Sequence, residues 1–276
     1  MRALLAALLM LAGCGPVAEP VPPPLPPRPV IVSLNPCTDA VLVEVADPRQ
    51  IAALSHWSRD PASSSLPQPT ARRFGVTGGT VEEVLALKPD LVLASTFIDP
   101  ATRHALDRLD VRVETLGIAT TLAESEAQVR WIAALSGDRA AGERLIARMR
   151  EALRAATPAP GERVIDTVLW QPGGIVPGQG TLIDDLLART GFANGAAARG
   201  YAQADYLPLE EVVADPPELL LVSGSEVGQA HPVLDRLKQT RRASFDPSLL
   251  YCGGPTVIRA AAYLGALRKS IMAERR

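Results

Sequence analysis

The sequence predicts an α/β protein built as two similar lobes, each a parallel sheet with flanking helices, joined by a long rigid helix. Three observations predict it. Residues 81–95, VEEVLALKPDLVLAS, recur without a gap at 209–223 as LEEVVADPPELLLVS, with eight of fifteen residues identical. The expected strands are short and wholly apolar, the pattern of parallel strands covered on both faces. Between the two copies, residues 124–156 keep a helical spacing interrupted by one turn signal, Gly137-Asp138.

The elements follow in order. Val30–Ser33 reads as a strand, Thr38–Ala46 as a helix stopped by Asp47-Pro48, and Ile51–Leu54 as the next strand. The first repeat supplies a helix over 81–87, a break at Lys88-Pro89 and a strand over Leu91–Ala94. Asp99-Pro100 opens a helix to about Leu109, with Asp as the cap and Pro at the first helical position. Val111–Leu116 closes the first lobe, placed at 29–119. Residues 120–157 form the linking helices. In them Leu145, Ile146, Met149 and Leu153 recur at helical spacing, and a helix over 138–156 reaches about 28 Å. The second lobe, 158–276, restarts with a strand at Arg163–Leu169 and a helix at Thr181–Arg189. The second repeat follows, then helices at 232–239 and from Pro255 to about Ala273.

The N-terminal end carries different information. Met1-Arg2 precedes an apolar run from Ala3 to Ala12, too short for the roughly 20 residues a membrane-spanning helix needs. It reads as a signal peptide over 1–13. Leu11-Ala12-Gly13-Cys14 resembles a bacterial lipobox, which implies acylation of Cys14. Residues 14–28 then form a Pro-rich tether of polyproline II type. The reading is a globular body held on a membrane by lipid, outside the cytoplasm.

Formal net charge is −2 with no basic tract, which argues against nucleic acid as a partner. His56, His104 and His231 are scattered, so no zinc triad is expected. No nucleophile–base pair stands out, and Gly178-Gln179-Gly180-Thr181 lacks the residues of a nucleotide loop. The expectation is capture without catalysis, and no cofactor.

Four stretches carry a family resemblance: RPVIVSLNPCTDAVL, GGTVEEVLALKPDLVLAS, VPGQGTLIDDLLARTGFANG and YLPLEEVVADPPELLLVSG. With them, residues 29–276 resemble the helical-backbone (class III) periplasmic substrate-binding proteins of ABC importers, the ferric-siderophore and cobalamin binders. The resemblance implies a monomeric receptor that takes a siderophore or corrinoid-type metal chelate and passes it to an inner-membrane permease dimer. It also implies that Glu82 and Glu210, equivalent in the two repeats, dock to the permease. The alternatives are a receptor for bare zinc or manganese, or for haem, and last a non-transport enzyme or sensor. Cobalamin binders carry an aromatic just before the first repeat helix, where this chain has Val76-Thr77-Gly78-Gly79.

In parallel α/β sheets ligands sit beyond the carboxyl ends of the strands, so the ligand cleft is expected between the lobes, on the strand-to-helix loops. Aromatics there supply flat walls with a polar handle: Trp57, Phe74, Trp170, Tyr206 and Tyr251. Arg59 and Arg73 are candidates for pairing with ligand carboxylates. Cys37 and Cys252 are expected to face the cleft from opposite sides, and three readings stay open: a disulfide, two independent thiols, or a thiol pair in a metal site.

Overall fold

The computed structural model describes residues 24–225 and 227–274. The expected signal peptide, Cys14 and most of the expected tether lie outside them. Asn35 starts the first strand-to-helix passage: its side chain accepts from Cys37 N at 2.7 Å and Pro36 occupies the first turn. Helix α1 (Pro36–Val45) therefore begins two residues earlier than its apolar pattern indicates. Around it, β1 (Ile31–Ser33), β2 (Ile51–Ser55), β3 (Val76–Thr77), β4 (Leu91–Ser95) and β5 (Val113–Leu116) form one parallel sheet in the order β3-β2-β1-β4-β5. Helices α2 (Gln68–Ala71), α3 (Val81–Ala86) and α4 (Pro100–Arg108) complete this lobe. Thr80 and Asp99 cap α3 and α4 by accepting from Glu83 N and Thr102 N.

The linker is α5 (Leu122–Leu135) and α6 (Arg139–Ala156). Leu145, Ile146, Met149 and Leu153 all face inward on α6. That helix packs against α1, against α5 and against the last helix of the chain, so it is a shared core element and not a free strut. Gly142 makes the α5 crossing possible, since a Cβ there would come within 2.6 Å of the Ala133 Cβ.

The second lobe holds β6 (Ile165–Trp170), β7 (Ile175–Val176), α7 (Leu182–Arg189), β8 (Phe192–Asn194), α8 (Gly195–Ala198), β9 (Asp205–Tyr206), α9 (Leu209–Ala214), β10 (Leu219–Ser223), β11 (Arg241–Phe245) and α10 (Thr256–Ala273). Its parallel sheet runs β11-β10-β6-β8, and β7 pairs with β9 as a separate antiparallel ribbon. The two repeats take equivalent places. Helix α3 leads to β4 beside β1, and α9 leads to β10 beside β6. A single buried cluster runs from Ile31 and Leu91 through Met149 to Leu219 and Leu264, joining the lobes through their helices.

One expected helix is corrected. Residues 232–239 hold only a short 3-10 segment, Pro232–Arg236. His231 Nδ1 accepts from Val233 N, and Leu237 already bends away so that Thr240 reaches the Pro217 carbonyl. One turn is all that fits.

Candidate functional site

Three cavities of about 650, 70 and 280 Å³ adjoin one another along the carboxyl ends of the first sheet and into the gap between the lobes. Asn35, Ser95 and Phe97 border both the first and the second; Cys37, Ile118 and Gln128 border both the second and the third. This is one cleft, of the size that small-molecule sites use.

The turn after β2 forms one wall. Ser55 caps a 3-10 turn, His56–Arg59, that presents His56 and Trp57 to the large cavity. The turn is held from beneath by Asp39, which is fully buried on α1. Its Oδ2 accepts from Ser55 N at 3.0 Å and from Ser58 Oγ at 2.6 Å, while Oδ1 has no hydrogen-bond partner. Burial dominates the electrostatics and pushes this carboxyl up to about 8, against the opposing hydrogen bonds. Asp39 thus sits under the ligand-facing turn as a neutral acid.

Phe97, 75% exposed, and Ile118, 57% exposed, stand on the first lobe's side of the cleft. Tyr251, 42% exposed, faces the interlobe cavity from the second lobe. Burial and the nearby Asp60 and Asp246 carboxylates raise the Tyr251 phenol, so it stays protonated. Gln171, Gln203 and Thr181 add neutral polar groups. Among the described residues lining the three cavities there is no lysine or arginine; the charges present are the carboxylates of Glu82 and Asp99.

Cys37 and Cys252 are joined by a disulfide, with Cα atoms 5.1 Å apart. Close beside it, Ser125 Oγ accepts from Gly254 N at 2.7 Å. Both contacts tie the second lobe to its neighbours at the base of the cleft.

Several expected site residues lie elsewhere. Trp170 is 4% exposed; it packs in the second lobe's outer core and donates Nε1–H to the Leu207 carbonyl at 3.0 Å. Phe74 is buried in the main core. Both plug loops onto the sheet and are corrected from cleft walls to core residues. Arg59 donates to the Phe74 carbonyl at 2.6 Å, and Arg73 lies over the Phe74 ring, 5.9 Å from its centroid. These two arginines brace that loop and do not line the cleft. Tyr206 is exposed on β9 and packs on Gly174, where φ is +78° and a Cβ would fall 2.6 Å from the ring. It borders none of the three cavities. His56, Phe97, Gln171 and Gln203 lie on loops expected to face ligand, whereas Ile118 and Gln128 do not. Gln128 is on α5 and Gln203 follows α8, while the others occupy loops after strands, and nothing in their spacing separates cleft-lining from merely exposed positions.

In each repeat the second acid is engaged locally. Glu83 accepts from Thr77 Oγ1 at 2.7 Å and Gly78 N at 2.6 Å, and Glu211 accepts from the Tyr201 hydroxyl at 2.7 Å. Glu82 and Glu210 are exposed and make no comparable bond among the described residues.

Two parallel-sheet lobes, fused through packed helices and opening a cleft at their strand ends, define a class III binding protein of two-lobed type. The chain belongs to the periplasmic binding protein family, whose model matches residues 31–245. The fold is similar to that of the periplasmic heme-binding protein RhuT from a Roseiflexus species (TM-score 0.69, 21% identity, covering 87% of this chain and 97% of that one). It is similar to the periplasmic heme-binding protein HutB of Vibrio cholerae (TM-score 0.71, 17% identity, 86% and 98%). It is also similar to the periplasmic vitamin B12 binding protein BtuF of Vibrio cholerae (TM-score 0.69, 17% identity, 90% and 99%). No curated protein sequence matches the chain.

Proposed function

We propose that this protein is the capture component of an ABC importer and takes an uncharged or weakly charged metal chelate of corrinoid type. The observation that carries the choice of ligand is the cleft's charge. A carboxylate-rich or catecholate siderophore needs cations to compensate its charge, and none is among the described lining residues. The aromatic faces of Trp57, Phe97 and Tyr251 suit a flat macrocycle. Gln171 and Gln203 suit peripheral amides, which both donate and accept.

Haem is the second reading. The same flat walls fit a porphyrin, and two of the similar structures are described as heme-binding; its propionates would have to stay in solvent at the cleft mouth. A receptor for bare zinc or manganese is disfavoured, because no group of three metal-ligating side chains converges among the described residues.

Acylation at Cys14 would tether the receptor in the periplasm as a monomer. Glu82 and Glu210, one per lobe and unengaged, are the acids offered to the two permease subunits.

A thermal-shift panel of cobalamin, cobinamide, haem and ferric siderophores tests the reading. A ligand at 100 times its dissociation constant stabilises the fold by about 2.7 kcal/mol. Stabilisation by cobinamide or cobalamin is expected; stabilisation by an anionic siderophore alone would overturn the choice.

A further inference from the structure

His56 is the first residue past β2 and lines the large cavity together with Trp57, whose ring centroid lies 4.5 Å from that of the imidazole. Its Nδ1 lies 3.3 Å from the Thr77 carbonyl oxygen. A carbonyl only accepts, so this pairing places the ring proton on Nδ1. In the neutral ring the lone pair is then on Nε2, at the opposite edge.

The support behind the ring is itself fixed. Thr77 Oγ1 donates to Glu83 Oε2 at 2.7 Å, and Gly78 N donates to the same oxygen at 2.6 Å. Imidazole held through one nitrogen by a backbone carbonyl, with the other nitrogen unengaged, is the arrangement of metal-ligating histidines.

Apart from the Glu82 carboxylate, the other metal-ligating groups of the cleft are unavailable or mismatched. Cys37 and Cys252 are spent in the disulfide. Tyr251 is kept as a phenol by burial and two carboxylates. Asp99 is engaged by Thr102. A lone imidazole cannot cage a bare ion, but it suffices when the metal arrives with its equatorial positions already filled.

We propose that His56 coordinates, through Nε2, the axial position of the metal in the captured chelate, with Trp57 packed against the macrocycle edge. The ligand class is a planar tetrapyrrole complex of cobalt or iron with an exchangeable axial site. This rests on the reading of the protein as a chelate receptor.

The test titrates the purified protein with aquacobinamide and, separately, with ferric protoporphyrin, following the absorption bands of the metal complex. With the wild-type protein, at least one probe should shift to the bands it shows with free imidazole. His56→Gln keeps a side-chain donor for the Thr77 carbonyl, and His56→Ala removes the ring; circular dichroism and the melting midpoint confirm that each is folded. Both variants should bind without the imidazole-type shift, with affinity reduced about tenfold or more, the scale on which metal sites respond to loss of even supporting groups. Added imidazole should restore the shift in His56→Ala. Variant spectra identical to wild type, with the probe bound, would overturn the assignment while leaving the receptor reading intact. Failure of both probes to bind the wild-type protein would overturn that reading and the assignment together.

Discussion

Cys37 opens the first helix of one lobe and Cys252 precedes the last helix of the other, yet their Cα atoms lie 5.1 Å apart across a disulfide. The bridge closes a loop with a sequence separation of 215 residues. It lies beside the cleft, and the lobes also share a continuous core through α6. Together these features favour a receptor whose lobes move little on binding.

The chain-entropy account gives such a long loop roughly 5 kcal/mol of stabilisation. Denaturant unfolding with and without reductant should show a loss approaching that size, and Cys37→Ser should match the reduced protein. Two free thiols in denatured, unreduced protein lacking Cys14 would remove the bridge from the account.

Asp39 predicts a pH dependence. Its carboxyl titrates from an ordinary 3.8 when unfolded to about 8 when buried, so the native state holds the extra proton across that window. Its contribution to stability is full below pH 3.8 and is lost as pH rises through about 8, with a slope of at most about 1.4 kcal/mol per pH unit. Glu126, held low by Arg150, acts in the opposite sense and only in the acid range. Urea midpoints measured from about pH 5 upward should therefore fall in the wild type. In Asp39→Asn, which keeps the acceptor for Ser55 and Ser58, that fall should be absent; an unchanged slope contradicts the assignment.

Trp57 and Trp170 should separate cleanly. Trp170→Ala removes a buried ring and its bond to Leu207, at a cost of about 3–5 kcal/mol. Trp57→Ala removes a ring that is 50% exposed. Its unfolding midpoint should barely move while ligand affinity drops, and the reverse pattern would mean that the cleft is misplaced.

Glu82 and Glu210 test the transport step. Reversing both to Lys should abolish uptake in cells, and the purified Glu210→Lys receptor, altered outside the three cavities, should keep its ligand affinity. Uptake unchanged by the double reversal would rule out these acids as the docking pair.

Much of the architecture was legible in the sequence for a physical reason. The apolar strand of each repeat needs neighbours on both edges, and it is buried beside the first strand of its lobe, β4 beside β1 and β10 beside β6. The buried stripe of α6 was equally plain, because helical spacing is a local property. The cleft was less legible. Trp170 and Phe74 follow or lie near strand ends, where an aromatic reads as ligand-facing; their burial depends on a carbonyl and a core supplied from distant segments. The β7–β9 ribbon pairs two-residue strands about thirty positions apart, which leaves no period to detect. The shortage of cations is likewise a property of which loops meet, since 25 of the chain's residues are arginine.

The account's central claim is that this cleft captures an uncharged or weakly charged metal chelate. Isothermal titration of the purified, disulfide-intact protein with aquacobinamide and with a ferric tris-catecholate tests it most directly. The account predicts saturable one-to-one binding of the cobinamide and no measurable heat of binding for the anionic complex. Tight binding of the catecholate with none of the cobinamide would contradict it.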